Sequence, residues 1–153
     1  MICISDILKT EHVNLTLTAL DSLSAVQEVL FPLRGDIRVT DWDALREAVI
    51  DRDAPAIASN GCGIIIAHGR TNAVNALTMS AARLIEGIQT PHIPEKVRLV
   101  FVAGIPTAFN NEYLRVVGTI ARLCTKPTLL EKLLLADHSL DFLDILAREE
   151  TKL

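Results

Sequence analysis

The sequence has few aromatic residues, few cysteines and no long apolar segment, and each shortage excludes a class of protein. Aromatic residues make up 4% of the 153 residues, so the core must be built from aliphatic side chains, which suits helices packed on a sheet. The three cysteines are far apart and form no C-x-x-C pair, which argues against a disulfide framework and for a reducing, cytoplasmic location. The apolar runs are far shorter than the roughly 20 residues that cross a bilayer, so we expect no membrane insertion.

Charged groups are also limited, and no motif for a bound cofactor is present. The formal net charge is −4 and no block of lysine or arginine stands out, so we expect no nucleic-acid surface. The spacings H-x-x-x-H, H-x-E and C-x-x-C are absent, and so are the Walker A and G-x-G-x-x-G motifs, so we predict no metal and no cofactor. No low-complexity segment or linker divides the chain, which predicts a single domain over residues 1–153.

Residue patterns in the first third of the chain predict one strand and two helices. Residues 13–20 alternate apolar and polar side chains, which indicates a half-buried strand. Asp21 then offers an N-cap for a helix that Pro32 ends. Thr40 and Asp43 resemble a capping box. The helix that this box opens would place three apolar residues on one face: Trp42, Leu45 and Val49.

The remainder of the chain predicts more strands and helices in alternation. Residues 64–68 are a β-branched apolar run that follows a glycine, which is typical of a buried strand, and residues 97–103 form a second such run. Residues 79–88 are ambiguous between helix and strand. A helix from Asn111 to Pro127 would bury Leu114, Val117, Ile120, Ala121 and Cys124, and two further helices would cover residues 128–135 and 140–149. These elements predict the α/β class, with a mixed parallel and antiparallel sheet flanked by helices.

His68 is the most informative candidate for chemistry, because it ends an apolar strand where we expect the chain to leave the sheet for a surface loop. A neutral imidazole can act as a nucleophile at neutral pH, since its unperturbed pKa is about 6.5. A phosphoryl group on His68 would need cations and backbone N–H donors. Arg52 and Arg70 are the candidate cations, and the candidate donors are Gly61, Gly63 and Gly69. The spacing alone favours the alternative, in which His68 only makes a structural hydrogen bond at the end of a strand.

The remaining histidines and cysteines are weaker candidates. We predict that His12, His92 and His138 are solvated surface groups. Cys62 lies between two glycines and could be a reactive nucleophile. A small residue in a tight turn is the more ordinary interpretation of Cys62.

Three segments of the chain are similar to segments of one protein family. The first runs from Ile7 through the helix after Ser22. The second is residues 48–53 followed by Gly63-Ile-Ile-Ile-Ala-His-Gly69, with Arg52 placed 16 residues before His68. The third is the run from Val97, Pro106, and the helix from Asn111 to Leu123. Together they resemble the IIA component of the mannitol/fructose class of the bacterial phosphotransferase system, including its nitrogen-regulatory branch.

The resemblance implies that the chain is a phosphotransferase component of sugar transport or nitrogen regulation. His68 would take a phosphoryl group from the phosphocarrier HPr and pass it to a cysteine of a IIB partner or use it as a regulatory signal, while Arg52 would hold the phosphate oxygens. Two positions depart from the family pattern. Ala67 replaces a proline, and Tyr113 replaces a second histidine, so a hydroxyl stands where the family has an imidazole.

Two other functions stay open, and so does the oligomeric state. The first alternative is a non-catalytic regulatory module that keeps the IIA fold without efficient phosphotransfer, which Tyr113 and Ala67 suggest. The second is a thiol enzyme based on Cys62. Neither the sugar, nor the regulated protein, nor the formation of a homo-oligomer follows from the sequence.

Overall fold

A computed structural model describes residues 3–50, 56–59, 63–90, 93–108, 111–122 and 126–151. Within these ranges the strands are β1 (Leu8–Leu17), β2 (Ala56–Ser59), β3 (Ile64–Arg70), β4 (Thr78–Thr90) and β5 (Ile93–Ile105). The helices are α1 (Ile4–Ile7), α2 (Ser22–Leu30), α3 (Trp42–Ile50), α4 (Asn111–Arg122), α5 (Pro127–Leu135) and α6 (Ser139–Glu150), and a 3-10 helix covers Phe31–Gly35. None of the helices in the described ranges has the length and hydropathy of a membrane span.

The five strands form one mixed sheet in the order β1-β4-β5-β3-β2. β1 and β3 run parallel to their neighbours β4 and β5, whereas the pairs β4–β5 and β2–β3 are antiparallel. The registers align one residue from each of four strands in a row across the sheet: Leu8, Met79, Ala103 and His68. The prediction of an α/β fold with a mixed sheet flanked by helices is therefore confirmed.

Both faces of the sheet are buried under helices, which explains the continuous apolar run in β3. Successive side chains of a strand point to opposite faces. Ile64 and Ile66 belong to the apolar cluster under α1, α4, α5 and α6, whereas Ile65 and Ala67 belong to the cluster under α2 and α3. His68 continues the first set, so its side chain faces α4.

Several predicted elements are present with shifted boundaries. The strand predicted at residues 13–20 is part of β1, which begins five residues earlier and ends at Leu17. The ambiguous segment at residues 79–88 is strand β4. Asp21 caps α2 as predicted, because its carboxylate accepts a hydrogen bond from the Ser24 backbone N–H at 2.8 Å.

The start of α3 differs from the predicted capping box. The hydroxyl of Thr40 donates to the Ala73 carbonyl at 2.9 Å instead of facing the helix. Asp41 takes the capping role and accepts a hydrogen bond from the Ala44 N–H at 3.2 Å. The physical reason is tertiary, since the Thr40 N–H also donates to the Ala73 carbonyl and holds Thr40 against the connection between β3 and β4.

The buried face of α4 is rotated relative to the predicted one. Tyr113, Val116 and Ile120 are buried, whereas Leu114 is 64% exposed. On this face the Tyr113 ring packs against His68. Val117 is partly buried against the same cluster.

Helix α5 begins where the sequence predicts that the preceding helix ends. Pro127 occupies the first helical turn of α5, where a missing N–H costs nothing. The other end of α5 is held by Arg83 of β4, whose Nη1 donates hydrogen bonds to three backbone carbonyls at 2.8–3.1 Å: those of Leu133, Leu134 and Ala136. A side chain of the sheet thus provides the C-terminal cap of a helix.

Two neighbouring glycines allow α3 to pack closely on the sheet. Gly69 of β3 pairs with Gly104 of β5. A Cβ atom at Gly69 would lie 2.9 Å from the backbone of Ala48 and Val49 in α3. Gly69 thus serves helix–sheet packing, and β3 continues past it to Arg70.

His12 is buried, which corrects the prediction of a solvated surface group. It is 7% exposed, and its Nδ1 lies 3.9 Å from Oδ2 of Asp36 without a hydrogen-bond partner in the described part of the chain. Burial lowers the pKa of His12 from its ordinary value, and the attraction of Asp36 opposes this shift only in part. His138 is exposed as predicted, and His92 lies outside the described residues.

Asp36 forms a two-pronged ion pair with Arg38 at the same corner of the sheet. The guanidinium Nε donates to Oδ1 at 2.8 Å and Nη2 donates to Oδ2 at 2.9 Å. These hydrogen bonds hold the pKa of Asp36 well below its usual range. Nη1 of Arg38 also donates to the carbonyls of Ile7 and Leu77 at 3.2 Å, so the pair fixes the start of β1 beside the start of β4.

The packing of Gly69 predicts opposite effects for two glycine-to-alanine substitutions. Gly69→Ala should lower the free energy of unfolding by about 1–3 kcal/mol, because its Cβ would overlap the backbone of α3. Gly118→Ala is the matched control, since Gly118 is an exposed residue within α4 with open space at its Cβ position. It should raise the free energy of unfolding by about 0.5–1 kcal/mol. Urea denaturation measures both, and a loss of equal size in the two variants would contradict this account.

The buried imidazole predicts a loss of stability in mild acid. The pKa of His12 is lower in the folded chain than its unfolded value of 6.5, so below that pH the unfolded chain binds a proton that the folded chain does not. The free energy of unfolding should therefore fall as the pH drops below about 6.5. The contribution of Asp36 is present above its unfolded pKa of 3.8 and is lost at lower pH.

Urea denaturation at pH 7 and pH 5.5 separates the imidazole from the carboxylate. His12→Gln should show a smaller fall in stability between these pH values than the unmodified chain. His138→Gln is the control, because His138 is exposed, and it should show the same fall as the unmodified chain. An unchanged fall in His12→Gln would assign the acid sensitivity to other groups.

Candidate functional site

His68 lies near the end of β3, at the edge of the sheet where the parallel strand β5 also ends. It pairs in register with Ala103 and is half-buried. Two strand residues follow it, which corrects the expectation that His68 ends the strand. One side of the imidazole is packed by the protein and its Nδ1 is buried, while the residue as a whole keeps partial exposure to solvent.

Tyr113 supplies the packed side of the site. It is the third residue of α4 and only 6% exposed. Its ring centroid lies 5.2 Å from that of His68, with an angle of 44° between the planes. The structure thus brings together two of the predicted site residues, which are 45 positions apart in the sequence. The contact also places the first turn of α4 beside His68, and the first N–H groups of a helix have no partner within it and attract anions.

Among the described residues, Arg70 is the first cation after His68 in the sequence, and it belongs to the same strand, β3. It lies two residues after His68, so strand alternation puts both side chains on the face toward α4. Arg70 is exposed. Two residues of a strand span about 7 Å, and a long guanidinium side chain can cover that distance. Arg70 is therefore in a position to contact an anionic group on the His68 ring.

Arg52, Gly61 and Cys62 lie outside the described residues. The nearest described residues after Arg52 belong to β2, in which Ala56 pairs with Ala67, the residue immediately before His68.

Gly63 and Gly69 have structural roles in this geometry, and their assignment as phosphate-binding residues stays a prediction. Gly63 is five residues before His68 along β3, a distance of about 16 Å. Its φ is +68°, and a Cβ there would lie 2.1 Å from the Lys96 carbonyl oxygen, so this glycine is needed for the entry into β3. Gly69 is buried beneath α3, on the face opposite to the His68 ring.

The chain matches a protein family along almost its whole length. Residues 6–149 match the family described as phosphoenolpyruvate-dependent sugar phosphotransferase system, EIIA 2. Among individual proteins, the chain is 34% identical over 122 residues to the PTS system fructose-specific EIIA component of Haloferax volcanii. That similarity covers 78% of this chain and 79% of the relative.

Solved structures share the fold at lower sequence identity. The nitrogen regulatory protein IIA-Ntr from Neisseria meningitidis superposes with a TM-score of 0.79 at 22% identity, covering 94% of this chain and 98% of that one. A complex of enzyme IIAMTL and phosphorylated enzyme IIBMTL from Escherichia coli gives a TM-score of 0.75 at 19% identity, covering 93% and 99%. From the family match and the fructose-specific relative, we conclude that the chain belongs to the EIIA 2 family of the phosphoenolpyruvate-dependent sugar phosphotransferase system and is a phosphocarrier component of that system.

Proposed function

We propose that the chain carries a phosphoryl group on His68, accepting it from the phosphocarrier HPr and passing it to a cysteine of a IIB partner. The observation that carries the proposal is the half-buried imidazole at the edge of the sheet, with the first turn of α4 on one side and Arg70 on the same face. The complex of a structural relative with phosphorylated IIB supports a IIB partner. A partner that distinguishes the phosphorylated chain from the free chain would make the same group a regulatory signal.

Both transfer steps are displacements at phosphorus. In the first, a neutral ring nitrogen of His68 attacks the phosphorus atom, and the phosphorus–nitrogen bond to the donor histidine breaks with its electron pair returning to the donor ring. In the second, the IIB thiolate attacks, a phosphorus–sulfur bond forms, and the bond to His68 breaks. The protein mainly has to position the groups and stabilise the charge on the phosphoryl oxygens.

Three groups of this chain would supply that stabilisation. Arg70 is exposed on the face of His68 and would balance the charge of the incoming group. The first N–H groups of α4 would donate to the phosphoryl oxygens. Arg52, 16 residues before His68 in the sequence, would supply a second guanidinium. Two cations and several N–H donors suit a dianion.

Tyr113 limits how strongly this site can stabilise the phosphoryl group. Its ring packs against the imidazole of His68, with the two ring centroids 5.2 Å apart. A phenol can donate one hydrogen bond but brings no positive charge. Where an imidazolium would stabilise the phosphoryl group by charge, Tyr113 would do so by a single hydrogen bond. We therefore expect the rate of phosphoryl transfer to depend more strongly on Arg52 and Arg70 than on the groups that α4 supplies.

Phosphorylation of His68 can be tested directly. The chain is incubated with phosphoenolpyruvate carrying a ³²P label, enzyme I and HPr, and acid-labile label on the chain is counted. The unmodified chain should be labelled and His68→Ala should not, because the accepting nitrogen is gone. His138→Ala is the matched control, since His138 is exposed and distant in the sequence, and it should be labelled normally. Equal label on His68→Ala would refute the assignment.

The role of Arg70 predicts a loss of rate without a loss of fold. Arg70→Met keeps most of the side-chain volume but removes the charge, so the rate of labelling by phosphorylated HPr should fall about tenfold or more. Arg148→Met, at an exposed arginine in α6, is the control and should keep the original rate. Quenched-flow measurement of labelling gives both rates. Identical rates for the two variants would remove Arg70 from the site.

A second function is favoured by the burial of Tyr113, which is 6% exposed and belongs to the core. A residue fixed in this way suits a binding module that keeps the IIA fold without efficient transfer. That function predicts negligible label on the unmodified chain together with partner binding that is the same in His68→Ala.

Normal labelling of Cys62→Ser would set aside a thiol mechanism.

A further inference from the structure

A groove of about 340 Å³ lies between α2 and α3, on the sheet face opposite to α4. Its apolar walls include Leu30, Phe31, Trp42 and Ile50. Phe31 is 56% exposed, and its ring meets Trp42 edge to face with the centroids 6.2 Å apart. The chain has six aromatic residues in all, so two of them on an open groove is a large share. Exposed aromatic side chains of this kind commonly anchor protein partners.

Two arginines border the groove. Arg46 lines it, and the guanidinium carbon of Arg34 lies 5.9 Å from the centre of the Phe31 ring. Neither forms an ion pair with a carboxylate in the part of the chain that the structure describes. Glu28 is the acidic residue of the lining. The lining thus carries one arginine and one glutamate, and Arg34 adds a second cation beside Phe31, in a chain whose net charge is −4.

The groove has the length of two helical turns. Trp42, Arg46 and Ile50 follow one another at four-residue spacing along α3, which puts them on one stripe about 12 Å long. A partner helix presents its apolar side chains with the same three- and four-residue spacing. We propose that this groove docks an amphipathic helix of another protein, with aliphatic side chains between Phe31 and Ile50 and carboxylates facing Arg34 and Arg46.

The position of the groove separates this interaction from phosphoryl transfer. α3 covers the face of the sheet opposite to the His68 ring, so a helix bound there would leave His68 accessible. Docking itself requires neither His68 nor its phosphorylation.

Trp42 provides a direct measurement, because it is the single tryptophan of the chain. The probe is a synthetic helix of about 14 residues, four turns, with leucine on one stripe and glutamate beside it, and a second peptide replaces each glutamate with lysine. The acidic peptide should change the Trp42 emission in a saturable way. The lysine peptide should bind at least about tenfold more weakly, because it faces two guanidinium groups.

Three variants locate the binding. Phe31→Ala should weaken the acidic peptide about tenfold or more, and Arg46→Glu should weaken it while improving the lysine peptide. Leu20→Ala is the control, since Leu20 is 96% exposed and does not line the groove. It should bind normally, and so should His68→Ala. Circular dichroism and urea denaturation verify that each variant is folded.

Several outcomes would overturn the proposal. These are an emission change that never saturates, equal binding of the acidic and lysine peptides, and unchanged binding by Phe31→Ala. Concentration-dependent dimerisation in sedimentation, abolished by Phe31→Ala in the absence of peptide, would show that a second copy occupies the groove and would equally reject a foreign helix.

Discussion

The structure depends above all on the pairing of β3 with β5. This parallel pairing runs from Ile64 opposite Leu99 to Arg70 opposite Ile105, and both faces of β3 are buried. Because side-chain direction alternates strictly along a paired strand, a register shift of one residue would turn His68 away from α4 and exchange the isoleucines between the two apolar clusters. The packing of the three isoleucines in these clusters therefore fixes the direction of the His68 side chain.

The two faces of β3 have separate tasks. On the α4 face, His68 contacts Tyr113 near the start of α4, and Arg70 is exposed two residues farther along the strand. On the other face, Gly69 removes a side chain so that α3 can approach. This division explains why a glycine next to the candidate nucleophile has no contact with its ring. The groove along α3 and the His68 imidazole therefore lie on opposite faces of the sheet, with β3 between them.

The ion pair of Asp36 and Arg38 holds the β1 edge of the sheet, at the same end of the sheet as His68. Asp36 and Arg38 fix β1 against β4 three strands away from His68, about 14 Å by the spacing of strands. The Asp36 side chain is 2% exposed, so its hydrogen bonds with Arg38 are needed to offset the loss of water. This ion pair thus stabilises the end of the sheet at which His68 lies, and it has no part in the proposed chemistry.

The sequence by itself determined the class of fold, most of the strands and helices and the cap at Asp21, because each follows from neighbours within a few positions. The family, and with it His68 as the residue to test, came from the resemblance of three separate segments to one family. Only the tertiary structure decided the burial of His12, the rotation of α4, the contact of Tyr113 with His68, and the separate roles of Gly63 and Gly69. Thr40 lost its predicted cap to Ala73, 33 residues away. Burial and contact depend on which distant segments pair, and local patterns carry no information about that choice.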